Sequence, residues 1–128
     1  MADTLLYLTL GTNDLDRAAR FYDAALAPLG LVRRATEPTE VGYGFAADRR
    51  SRIWITRPYD GKPATVGNGS MIALDAPSRA TVDEFHRAGL AAGGTDEGAP
   101  GLRPYGPTFY AAYLRDPDGN KLSAVHGG

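Results

Sequence analysis

The chain has 128 residues, 43% hydrophobic and 23% charged, with a formal net charge of -1 and no cysteine. Those values describe a single soluble domain over residues 1–128, and they exclude a disulfide scaffold, a thiolate nucleophile and any cysteine-ligated metal. A charge so near zero also offers no basic face for nucleic acid. The densest basic run, Arg49, Arg50 and Arg52, is flanked by Asp48 and reads as a solvated turn. Met1-Ala2-Asp3-Thr4 is acidic where a signal peptide is basic, and Leu5–Leu8 is too short to span a bilayer, which predicts a cytoplasmic protein without a membrane partner.

In chain order, Leu5–Gly11 is a short apolar run closed by Gly11-Thr12-Asn13 and predicts a strand. A helix follows, with Asn13 or Asp14 as N-cap and an apolar stripe at Leu15, Ala18, Phe21, Tyr22, Ala25 and Leu26, ended by Pro28 and Gly30. Strands are predicted near Leu31–Ala35, at Val41–Ala47 and at Ile53–Thr56, the last two joined by a turn at Asp48–Ser51. Residues 58–69, rich in proline and glycine, read as a linker. Met71–Asp75 predicts a strand, and Pro77-Ser78 opens a helix with Val82, Phe85 and Gly89 inward, stopped by Gly93-Gly94. Strands near Thr95–Glu97, at Thr108–Leu114 and at Lys121–Val125 complete the chain, with Asp116-Pro117-Asp118-Gly119 as a strong turn.

The second half repeats the first. Shifting the sequence by 64 residues sets Tyr7–Gly30 on Met71–Gly94 without a gap, matching Leu10 with Leu74, Phe21 with Phe85 and Gly30 with Gly94. Both copies read βαβββ, in an α+β fold, with modules at residues 4–57 and 70–126.

Three stretches carry a wider resemblance: Leu10–Leu15 leading into Arg20-Phe21-Tyr22, Pro100–Pro107 followed by Tyr110–Tyr113, and Arg115–Lys121. Together they resemble the vicinal oxygen chelate superfamily of glyoxalase I, bleomycin-resistance proteins and extradiol dioxygenases. The resemblance implies two tandem βαβββ modules paired edge to edge, a curved mixed sheet forming a half-barrel, helices on its convex face and, in many relatives, a homodimer. It places metal ligands on the first and last strands of each module, at Tyr7, Trp54, Met71 and Ser123 in this chain. A phenol, an indole, a thioether and a serine hydroxyl are poor ligands for Zn, Fe or Mn, so no metal and no cofactor are expected. His86 falls on the second helix, and His126, three residues after Ser123, alternates to the other face. Asp75 reads as a turn residue.

Alternation leaves Tyr7 and Thr9 on the concave side of the first strand, with Met71, Ala73 and Asp75 on that of the fifth. A four-residue turn at Asp48–Ser51 would pair Phe45 with Trp54 and Tyr43 with Thr56; the same count at Asp116–Gly119 pairs Ala112 with Ser123 and Tyr110 with Val125. The expected ligand-binding set is therefore Tyr7, Tyr43, Phe45, Trp54, Met71, Tyr110 and Ser123, with Arg103 and Tyr105 from a Thr95–Pro107 loop across the mouth. No catalytic residue is assigned. Three functions stay open: metal-independent binding of a small aromatic or apolar molecule; a lyase, isomerase or dioxygenase with an atypical metal site or acid/base work by Tyr7 and Asp75; and a non-catalytic dimerisation module.

Overall fold

The computed structural model describes residues 4–128; the sequence reading at residues 1–3 lies outside them. The first module holds β1 (Leu8–Gly11), α1 (Leu15–Leu26), β2 (Val32–Thr36), β3 (Glu40–Gly44) and β4 (Ile53–Thr56). Asp14 caps α1 by accepting the Arg17 N–H at 3.0 Å, which satisfies one of the donors a helix start leaves open. A 3-10 turn at Ala27–Leu29 carries Pro28, and Gly30 at φ 84° closes it with its N–H on Ala27 O. That left-handed backbone is open to glycine at no steric penalty. The second module holds β5 (Ile72–Asp75), α2 (Arg79–Ala91), β6 (Thr95–Leu102), β7 (Tyr110–Arg115) and β8 (Lys121–His126). Ser78 caps α2 on the Thr81 N–H at 3.1 Å. Among the described residues no helix is long and apolar enough to cross a membrane.

Each module forms its own four-stranded mixed sheet, in the orders β1-β4-β3-β2 and β5-β8-β7-β6. The parallel pairs set Leu8 beside Ile53 and Ile72 beside Leu122, so the 64-residue repeat relates equivalent positions in space. The α+β fold of two tandem βαβββ modules is as expected, each module carrying its own mixed sheet; β1 and β5 are edge strands, and among the described residues no strand pairing joins the two sheets.

The modules meet through their helices. Phe21, Tyr22 and Leu26 of α1 and Val82 and Phe85 of α2 are fully buried in one core, with Val41, Tyr43, Ile53 and Ile55 under α1 and Ala112, Leu114, Leu122 and Ala124 under α2. Burying each large side chain contributes roughly 1.5–3 kcal/mol. Gly89 lets α2 lie close on β7 of its own module: a Cβ there would stand 2.6 Å from Leu114 Cδ2.

A polar clasp locks the two modules in register. The β7–β8 turn brings Asp118 against the β1–α1 connection, where its carboxylate accepts from Thr12 Oγ1 at 2.5 Å, the Asn13 N–H at 2.9 Å and Arg17 Nη2 at 2.8 Å. Asp116, 2% exposed, accepts from the Tyr22 hydroxyl at 2.5 Å and from Asn120 Nδ2 at 2.8 Å, while Asn120 also donates to Gly11 O. Burial first, then the Asp116 carboxylate, pushes the Tyr22 phenol pKa well up. The linker is pinned to the same place: the Asn13 amide accepts from Ala64 N and donates to Ala64 O.

Candidate functional site

The hairpin registers redistribute the expected site. β3 ends at Gly44, so residues 45–52 form the connection and Tyr43 pairs with Ile53, Gly42 with Trp54. The expected pairing of Tyr43 with Thr56 is off by an odd number of residues, which sends Tyr43 to the helix side. There it is fully buried, its hydroxyl donating to Asp23 Oδ1 at 2.8 Å and facing Ala19 O at 3.2 Å; burial and the Asp23 bond raise its pKa. Tyr110 is corrected in the same way. It pairs with His126, not Val125, and its hydroxyl reaches Asp83 Oδ1 of α2 at 2.6 Å, with the Arg79 guanidinium over its ring.

The expected mouth loop is also corrected. Thr95–Leu102 is a strand paired with β7 through two irregularities at its glycines, leaving only residues 103–109 as a connection. Arg103 is spent locally, donating to Ala99 O at 2.6 Å and stacking over Tyr113, which shares Ser123's face. Tyr105 is exposed and packs edge-on against Phe109.

Trp54, between the core residues Ile53 and Ile55, points to the opposite face of its sheet and packs there over Gly42. A Cβ on Gly42 would stand 2.6 Å from Ser51 Oγ and 2.8 Å from Trp54 Cζ3. Ser123 occupies the equivalent place in the second module, beside Ala73, fully buried and with its Oγ unpartnered among the described residues. Met71 is exposed at the start of β5.

A cavity of about 730 Å³ does open beside two of the expected residues, Tyr7 and Phe45. It lies between the segment before β1, the β3–β4 connection and the end of β5. Leu5, Leu6, Leu29, Leu31 and Leu74 give it apolar walls. Its polar wall is Asp48, Arg49, Arg50 and Arg52, with Asp75 from β5. Asp48 organises the connection: it accepts Arg52 Nε at 2.6 Å and Nη2 at 2.8 Å and the Phe45 N–H at 2.8 Å. The Arg52 fork, with the Phe45 amide, holds the Asp48 pKa down at about 2. Arg52 in turn lies 4.7 Å over the Phe45 ring. Such a volume falls within the ~300–1,000 Å³ typical of small-molecule sites. The arginine run, read from sequence as a solvated turn, thus forms one wall of the cavity.

Comparison with known proteins places the chain. A sequence profile described as Glyoxalase/Bleomycin resistance protein/Dioxygenase superfamily matches residues 4–123. The chain belongs to that superfamily. It is similar to a glyoxalase/bleomycin resistance protein from Albidiferax ferrireducens at 40% identity and TM-score 0.87, covering 98% of this chain and 100% of that one. A glyoxalase-related enzyme from Fulvimarina pelagi shares the fold at 21% identity and TM-score 0.77, over 98% of this chain and 89% of its own. A lactoylglutathione lyase from Agrobacterium tumefaciens does so at 24% and 0.68, over 99% and 96%. No curated protein sequence matches the chain.

Within this superfamily the residues at the metal positions decide what chemistry is open. Tyr7, Trp54, Met71 and Ser123 supply one buried, unpartnered hydroxyl, one exposed phenol and no imidazole or carboxylate, a donor set that does not fit a divalent cation. Among the described residues no three His, Cys, Asp or Glu side chains converge. Both imidazoles serve the fold: His86 Nε2 donates to Asp96 Oδ1 and His126 Nδ1 to Ala76 O, each at 2.9 Å.

Proposed function

We propose that this superfamily member binds a small aromatic or apolar molecule without a metal, in the cavity between residues 5–8, the β3–β4 connection and the end of β5. The observation that carries this is the cavity itself: about 730 Å³ with leucine walls, Tyr7 and Phe45 as aromatic contacts, and no metal-ligating set at the superfamily's positions. Apolar burial supplies affinity, and the Tyr7 hydroxyl supplies a polar contact for orientation. The 24% identity with a lactoylglutathione lyase shows a common fold and leaves the lyase chemistry with that protein.

A homodimer and a cytoplasmic setting belong to the same proposal. Among the described residues β1 and β5 each have one edge without a strand partner, and Leu5, Leu6, Tyr7 and Met71 beside them are exposed, a combination that a second copy would cover.

The test is a titration with the neutral fluorophore N-phenylnaphthylamine, followed by amide NMR on the labelled protein. Saturable binding is expected, with shifts clustered at Tyr7, Leu8, Phe45, Ile53 and Leu74. Absence of saturable binding, or shifts confined to Trp54, Tyr113 and Ser123, would overturn the cavity as the site.

A further inference from the structure

The internal repeat makes the two ends of the molecule comparable, and they differ in charge. Because Ile53 and Leu122 hold equivalent registers, Arg49, four residues before Ile53, stands where Asp118 stands four residues before Leu122. At one end Asp118 is the anion that Thr12, Asn13 and Arg17 surround. At the other end the repeat puts Ala76 at the place of Thr12 and Pro77 at that of Asn13, residues with neither a hydroxyl nor, for proline, an N–H to donate. No matching clasp forms there among the described residues, and the cavity lies between the β3–β4 connection and the end of β5.

The charges on its wall are unbalanced. Among the described residues, three arginines, Arg49, Arg50 and Arg52, and two aspartates, Asp48 and Asp75, line the cavity. Asp48 and Arg52 satisfy each other by a two-bond fork. Arg49 and Arg50 make no hydrogen bond or ion pair among the described residues.

We propose that the ligand is a monoanion: an aromatic or aliphatic body in the leucine-lined cavity, with one carboxylate taken by Arg49 and Arg50. This rests on the cavity being the binding site and adds the class of molecule it accepts. A guanidinium pairs a carboxylate through parallel N–H donors, and the neighbouring apolar wall reduces the competition from water. With Asp48 and Arg52 joined in their fork, Arg49 and Arg50 face one remaining carboxylate among the described lining residues, Asp75, a balance that favours one ligand carboxylate over two.

The experiment displaces bound N-phenylnaphthylamine with naphthalene carboxylate and, separately, with naphthalene carboxamide, which match in shape and differ in charge. The carboxylate is expected to compete about fivefold or more tightly than the carboxamide, with the ratio shrinking as salt is raised. In the R49Q/R50Q variant the ratio falls to about one, while Arg87→Gln, on the exposed face of α2, leaves it as in the parent. Circular dichroism and melting temperature confirm that each variant is folded. Equal competition by the two compounds, or a ratio that survives R49Q/R50Q, overturns the monoanion assignment while leaving the cavity reading intact. A protein that binds no N-phenylnaphthylamine overturns the cavity reading itself.

Discussion

Replacing Asp116 with alanine is expected to destabilise the fold by about 3–5 kcal/mol, the range for removing one partner of a buried charged network. The carboxylate accepts four hydrogen bonds: the Tyr22 hydroxyl at 2.5 Å, Asn120 Nδ2 at 2.8 Å, and the backbone N–H groups of Asp118 and Asn120 at 2.9 Å. Its removal strands a fully buried phenol and releases the turn that presents Asp118 to Thr12, Asn13 and Arg17. The loss therefore propagates from a local turn to the junction between modules. Against a typical stability of ~5–15 kcal/mol, it lowers the melting temperature by about 10 °C or more. Asp116→Asn retains an acceptor for the two backbone N–H groups and is expected to lose less. Thermal denaturation followed by circular dichroism measures both; a shift of only about 1–2 °C for the alanine variant would mean the clasp contributes little to stability.

The second large effect is expected at Gly94, between α2 and β6. A Cβ added there meets Gly89 O at 2.8 Å, Phe21 Cε1 at 2.8 Å and Arg115 O at 3.0 Å. Two of these neighbours are backbone oxygens held by the α2 C-terminus and the second sheet, and the third is the fully buried ring of α1. None can move aside without disturbing the helix–helix contact. Gly94→Ala is thus expected to cost about 2–3 kcal/mol by overpacking, despite removing only glycine's flexibility from the unfolded chain. Urea denaturation measures it, and a midpoint equal to the parent's would contradict the packing described here.

Much of the fold was legible because it is written twice. The match of Tyr7–Gly30 with Met71–Gly94 located both strand–helix units, and the observed pairs Leu8–Ile53 and Ile72–Leu122 carry the same equivalence into three dimensions. Caps were equally readable, since Asp14 and Ser78 have the short acceptor side chains that helix starts require. The strand faces were harder. A turn assumed at Asp48–Ser51 is really a connection over residues 45–52, and that difference turned Tyr43 inward; a one-residue slip in the second hairpin did the same to Tyr110.

Two functional features left only faint marks in the sequence. Asp116-Pro117-Asp118-Gly119 signals a turn, yet its second role, as anion for a loop more than a hundred residues away, depends on the helix packing that brings the modules together. The cavity is of the same kind. Leu5, Leu31, Arg49 and Leu74 carry no local pattern in common, and only the tertiary arrangement makes them neighbours. The one available signal was the reversal of charge between Arg49 and Asp118 at matching places in the repeat.

Metal content tests the reading of this superfamily member most directly. Protein purified without an affinity tag, chelator or added metal is analysed by plasma mass spectrometry for Zn, Fe, Mn, Ni and Co. The four non-ligating positions predict well below ~0.1 ion per chain, and ligand binding that added EDTA leaves unaltered. About one tightly held ion per chain, removed by EDTA together with ligand binding, would contradict the proposed metal-independent binding.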